Sequence, residues 1–134
     1  MAAFAAGGGR IVNIASTAAL KGYPYTSAYA AAKHGLLGLT RAVAIEVAST
    51  GVTVNAVCPG FTDTDMAEAS IQTIVAKTGR TVEAARAELT RTNPMGRMIA
   101  PEDVADAATK ARQQRRSGQR GQQLGVQQRL HQRR

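Results

Sequence analysis

Two short apolar runs separated by one long helical stretch constrain this chain more than any other feature. Residues 10–16 read Arg-Ile-Val-Asn-Ile-Ala-Ser, and residues 52–57 read Val-Thr-Val-Asn-Ala-Val. Both are rich in β-branched residues and too short for buried helices, so each is expected to be a strand. The second is apolar on both faces, as in a parallel sheet covered by helices on either side. Between them, Gly22 and Pro24 mark a loop. A helix is expected from about Ser27 to Ser49, with Thr26 or Ser27 as its cap and Gly51 just past its end. Strand, helix and strand make a βαβ unit with a right-handed crossover. Reactive groups belong at the carboxyl ends of such strands, where Ser16 and the pair Pro59-Gly60 fall.

The helix carries a second signal. Tyr29 and Lys33 are four residues apart, which places both side chains on one face about one turn apart. An ammonium beside a phenol favours the phenolate, giving a general acid/base suited to pH nearer neutrality. Ser16, thirteen residues before Tyr29, ends the first strand and faces the same region. The chemistry suggested is proton transfer at a carbonyl/alcohol oxygen held by the serine. A surface tyrosine near a surface lysine is the plain alternative for the pair taken alone.

The neighbouring blocks decide between them. Gly8-Gly-Arg-Ile-Val-Asn-Ile-Ala-Ser16 precedes the pair, and Ala28-Tyr-Ala-Ala-Ala-Lys-His-Gly-Leu-Leu-Gly-Leu-Thr-Arg41 contains it. Gly51-Val-Thr-Val-Asn-Ala-Val-Cys-Pro-Gly60 follows. In this order and at these separations they closely resemble the short-chain dehydrogenase/reductase family, from about Gly8 to about Ala108. The resemblance implies an α/β fold: the C-terminal half of a Rossmann-like, doubly wound parallel sheet. It implies catalytic roles for three residues. Tyr29 would be the acid/base, Lys33 its activator and a ligand of the nicotinamide ribose, and Ser16 the donor to the substrate oxygen. Pro59, Gly60, Thr62 and Thr64 match the family's Pro-Gly-x-x-x-Thr region, which lines the nicotinamide. The cofactor implied is NADP or NAD. Cys58-Pro-Gly-Phe-Thr-Asp-Thr-Asp-Met66 and Asn93-Pro-Met-Gly-Arg-Met98 look most like 3-oxoacyl-carrier-protein reductases, acetoacetyl-CoA reductases and 3-hydroxyacyl-CoA dehydrogenases. An acyl thioester or another small carbonyl/alcohol substrate follows. The long helix would help form a homo-oligomer. Arg80, Arg91 and Arg97 are candidates for the phosphates of a pantetheine-bearing substrate, with solvated helix faces as the alternative. Asn13 reads as structural, and Asp63 and Asp65 as helix-start residues.

The beginning and end depart from the family. Gly7-Gly8-Gly9 precedes a strand instead of following one, so it reads as strand entry and not as a pyrophosphate-binding turn. The family's glycine motif and the asparagine of its catalytic set are expected before Met1, which would make the chain inactive by itself. Residues 1–108 are thus read as the foldable half-domain, and 109–134 as an Arg/Gln-rich tail. Up to Lys110 there are ten Lys/Arg and nine Asp/Glu, whereas 111–134 hold seven Arg, eight Gln and no acid, so most of the net charge of +8 lies there. Such a segment lacks apolar residues for a core, so disorder is expected. A frameshift after Ala108 is the favoured origin; a divergent tail and a nucleic-acid-binding arm are the alternatives, and nucleic acid is not expected as a partner.

Between Gly60 and the last helix, two helical stretches are expected at roughly 65–77 and 81–92, the second capped by Thr81 and forming an active-site lid. The last helix starts at Pro101 with Glu102 and Asp103 in its first turn. The single Cys58, just before Pro59, reads as a buried thiol suited to a reducing cytoplasm. No Cys/His cluster indicates a metal, and no run approaches a membrane span. Two readings stay open: a nicotinamide-dependent reductase carrying its catalytic half here, or a non-catalytic fragment or interaction protein.

Overall fold

Parallel pairing joins the two predicted strands. In a computed structural model, which describes residues 8–113 and 123–124, β1 (Arg10–Ile14) lies beside β2 (Thr53–Val57) in the register Arg10↔Thr53 to Ile14↔Val57. Between them run a 3-10 turn, Thr17–Ala19, and helix α1, Ser27–Glu46. Then follow α2 (Asp65–Thr78), α3 (Val82–Thr90) and α4 (Pro101–Gln113). Residues 1–7, and most of the Arg/Gln-rich segment, lie outside the described residues. Two residues of that segment, Gln123–Leu124, form β3, parallel to β2 and opposite Ala56 and Val57. β2 is therefore the middle strand, in the order β1-β2-β3.

Side chains alternate across β2, so each face meets a different helix. Ala56 and Cys58 pack with Ala15, Ala19 and Leu37 under α1. Val57 packs with Ile99 and Ala111, with Val12, Val104, Ala107 and Ala108 at the margin, under α4. These are the three layers of an α/β fold. Two polar residues tie the layers together. The Asn13 amide donates to Thr40 Oγ1 on α1 at 2.8 Å, and the Asn55 amide donates to the Ala111 carbonyl at the end of α4 at 3.4 Å. Asn13 is thus a structural residue. Ala111 is fully buried, so α4 stays part of the fold three residues beyond Ala108.

α1 ends three residues earlier than expected, at Glu46. The chain after it closes into tight turns, with Ala48 N–H donating to the Ile45 carbonyl and the Thr50 hydroxyl to the Val47 carbonyl. Thr hydroxyls that satisfy nearby carbonyls offer the backbone an alternative to helix. Gly51, at φ 82°, closes those turns instead of capping the helix directly. Gly8 packs against it: a Cβ on Gly8 would stand 2.6 Å from the Gly51 oxygen. The Gly9 carbonyl accepts from Thr53 N–H, so these glycines do serve strand entry.

α2 and α3 form a separate hairpin with its own core of Ile71, Ala85 and Leu89 against Phe61 and Met98. Thr64 and Thr81 cap the two helices by accepting from the N–H groups of Ala67 and Ala84, and Gly79, left-handed at φ 67°, ends α2.

Candidate functional site

The C-terminal ends of β1 and β2 bring Ser16, Pro59 and Gly60 together, and the start of α1 adds Tyr29 and Lys33. β1 stops at Ile14, and Ser16 caps the 3-10 turn, its hydroxyl accepting from Ala18 N–H at 3.1 Å. A hydroxyl that accepts in this way keeps its own proton for another partner. Thr17 N–H donates to the Pro59 carbonyl at 2.8 Å, which locks the Ser16 turn onto the Pro59-Gly60 end of β2.

Tyr29 and Lys33 occupy the first two turns of α1. Lys33 Nζ donates to the Ile14 carbonyl at 3.0 Å and lies 5.6 Å from the centroid of the Tyr29 ring. The predicted pairing on one helix face is therefore present, and the lysine is anchored to the strand that carries Ser16. Tyr29 is 42% exposed, and its hydroxyl makes no hydrogen bond among the described residues. The arrangement sets a phenol, an ammonium and a serine hydroxyl at the C-terminal end of β1.

Thr62 and Thr64 stand further along the same loop. Thr62 donates to the Gly60 carbonyl at 3.2 Å and bridges to Ile99. The Thr64 hydroxyl is committed to capping α2 and to the Thr62 carbonyl. Cys58 lies beneath, 1% exposed. Burial pushes its thiol up from the ordinary value of 9.0, against the weaker opposing influence of the Ser16 backbone and of the Arg41 and Lys33 charges.

Arg80, Arg91 and Arg97 all meet carboxylates at the surface, in line with the alternative of solvated helix faces. Arg80 and Arg91 both pair with Glu88, and Arg97 pairs with Asp103. Each already faces a carboxylate, in exposed pairs of small worth. Arg86, which sequence reasoning passed over, bridges Asp63 at 3.3 Å and Glu68 at 2.9 Å. Asp65 is the first residue of α2, in keeping with its reading as a helix-start residue, whereas Asp63 precedes the Thr64 cap and faces Arg86 instead. Asn93, read in the sequence only within the Asn93–Met98 block and given no role there, is 4% exposed, and its side chain accepts from Phe61 N–H and donates to the carbonyls of Phe61 and Arg97. Its one signal in the sequence was an Asn-Pro pair in a loop, which marks a turn but not its distant partners. Tyr23 was also passed over, and its hydroxyl donates to Thr17 Oγ1 at 2.9 Å.

Known proteins resemble the chain in sequence and in fold. A family model described as enoyl-(acyl carrier protein) reductase matches residues 1–128. The chain is 46% identical over 103 residues to a D-beta-hydroxybutyrate dehydrogenase of Rhizobium meliloti, covering 76% of this chain and 40% of that protein. It is 40% identical over 99 residues to a 3-oxoacyl-acyl-carrier-protein reductase of Rickettsia bellii, covering 74% and 36%. The crystal structure of actinorhodin polyketide ketoreductase with NADPH superposes with a TM-score of 0.70 at 40% identity, over 76% of this chain and 39% of that one. The chain spans about two fifths of the length of these relatives. Family model, relatives and fold agree: the chain belongs to the short-chain dehydrogenase/reductase family and is ketoacyl-reductase-like.

Proposed function

We propose that this chain supplies the proton-transfer half of an NAD(P)-dependent oxidoreductase that interconverts a carbonyl and an alcohol, with a 3-oxoacyl or 3-hydroxyacyl thioester as substrate. The observation that carries this reading is Lys33, held on the Ile14 carbonyl beside the Tyr29 ring at the strand end that leads into Ser16.

In the reductive direction Tyr29 gives its hydroxyl proton to the substrate oxygen as that oxygen gains negative charge. Lys33 stabilises the phenolate left behind, an attraction that grows as water is excluded. Ser16 uses its free proton to hold the same oxygen, since its lone pair already accepts from Ala18 N–H. In oxidation the roles reverse. The donor set fits a nicotinamide riboside: the ammonium of Lys33 has two protons beyond the one given to Ile14, and ribose hydroxyls accept such donors. Tyr29, Lys33, Pro59, Gly60 and Thr62 would hold it, with Thr64 also facing that loop. When bound, the nicotinamide supplies or accepts the hydride.

A chimera tests this reading. Residues 8–110 replace the matching stretch of the Rickettsia bellii reductase, and NADPH-dependent reduction of acetoacetyl-CoA is measured. Turnover is expected, and Tyr29→Phe or Lys33→Met is expected to lower kcat by about 100-fold or more. A folded chimera that binds NADPH, turns over and is indifferent to both substitutions would sink the assignment.

The share of the relatives that is matched favours a second, compatible reading, that the chain by itself is not a competent enzyme. Calorimetry is expected to show no saturable NADPH or NADH binding by the 134-residue chain, and saturable binding would overturn this. Self-association through α1 and a cytoplasmic setting suited to the free Cys58 thiol belong to the same proposal. Among the described residues, no helix is long and apolar enough to cross a membrane.

A further inference from the structure

We infer that Tyr23 is a positioning residue that clamps the Ser16 turn to the Pro59–Thr64 segment and so sets the spacing between the two sides of the site. Its hydroxyl donates to Thr17 Oγ1 at 2.9 Å, and Thr17 is 6% exposed and directly follows Ser16. Its ring meets Phe61 edge-on, with centroids 6.1 Å apart and planes at 77°. Phe61 directly follows Gly60. A third contact reaches α1: the Thr26 hydroxyl donates to the Tyr23 carbonyl at 2.9 Å, next to the start of the helix that carries Tyr29 and Lys33. Lys21 covers the ring, its ammonium 5.0 Å from the centroid. One side chain therefore touches the turn of Ser16 and the loop of the nicotinamide-side residues, while its backbone holds the entry to the Tyr29 helix.

The local backbone is consistent with a held turn. Two residues on, Tyr25 has φ 62° and is fully exposed. A left-handed aromatic residue is strained, and such strain persists where neighbouring contacts over-determine the conformation. The contacts that Tyr23 makes on either side of the bend are of that kind.

Amide hydrogen exchange of the 134-residue chain tests the clamp without any cofactor. Tyr23→Phe removes the hydroxyl and keeps the ring. The amides of Thr17 and Ala18 are expected to exchange roughly 3- to 10-fold faster, while those of α1 and α4 stay unchanged. Thr17→Val should reproduce this, the double variant should be no worse than either single, and Thr17→Ser, which keeps the acceptor, should restore protection. Uniform acceleration across the fold, or none at Thr17 and Ala18, would overturn the inference.

The catalytic consequence rests on the proposed function. In the chimera, Tyr23→Phe is expected to lower kcat about tenfold, with KM for NADPH within about twofold. An unchanged kcat in an active chimera refutes the positioning role. An unsubstituted chimera with no turnover counts against the proposed function instead, and the exchange measurement still decides the clamp.

Discussion

One hydrogen bond settles where the Lys33 charge stands, and the same attention to single groups makes three other residues predictable. Gly8 has φ 81°, and a Cβ there would meet the Gly51 oxygen at 2.6 Å, a backbone atom that cannot swing away. Gly8→Ala should therefore destabilise the chain by roughly 1–3 kcal/mol in urea unfolding. Gly22→Ala, where nothing lies within 4 Å of the added methyl, should stay within about 0.5 kcal/mol. Cys58 gives a pH dependence of definite sign. Its folded-state thiol is raised above 9.0, chiefly by burial, so the folded chain keeps this proton to higher pH than the unfolded chain does. The stabilisation is fully present below the unfolded value and is lost as pH rises through it towards the folded value. Unfolding free energy should fall above about pH 9 in the native sequence and fall less steeply in Cys58→Ala.

Helices α2 and α3 touch the rest of the molecule mainly through Phe61, Met98 and the side chains of Arg86 and Asn93. Asn93 is the stronger of the two ties, because it is buried and satisfies three backbone groups at once. Removing it strands the Phe61 N–H and the Arg97 carbonyl, whereas the Phe61 carbonyl keeps the Ile99 N–H, and a buried group left unpaired costs about 1–3 kcal/mol. Asn93→Ala should destabilise the chain by more than about 2 kcal/mol and speed proteolysis within residues 61–99, whereas Arg86→Ala, at exposed pairs, should cost under about 1 kcal/mol. Equal small effects would show that the hairpin is held by its apolar core alone. The starts of α3 and α4 were legible in the sequence, because Thr81 and Pro101 act on neighbours one turn away, whereas the Thr64 cap of α2 was not read there. So was the site pair Tyr29 and Lys33, a matter of helical spacing. The Asn93 brace, the Arg86 bridge and the Tyr23–Phe61 contact were not, because they join positions 18 to 38 residues apart whose meeting depends on the folded loop. The end of α1 failed for a local reason, since the Thr50 hydroxyl takes the Val47 carbonyl, which a longer helix would use.

At the scale of the whole molecule, the apolar surface is arranged unevenly. α1 buries Leu37 and Thr40 against the sheet yet leaves Leu39 57% and Ile45 74% exposed. Ala31, Ala32, Gly35, Gly38 and Ala42 are also exposed along this helix, small residues that let another backbone approach closely. Large exposed apolar residues on one helix, rimmed by small ones, suit contact with a second protein surface. If α1 is the proposed self-association face, burial of Leu39 and Ile45 from both copies supplies the apolar part of the interface, and a charge there is left without a partner. Sedimentation velocity of the native chain should then show a concentration-dependent oligomer. Leu39→Lys together with Ile45→Lys should shift it towards monomer, because both positions point away from the chain's own core and need not disturb the fold. Circular dichroism of the double variant should match the native chain, which separates loss of association from loss of structure. An oligomer that survives both lysines would place the interface elsewhere, with the outer edge of β1 the next surface to probe, since β1 has β2 on one side only among the described strands.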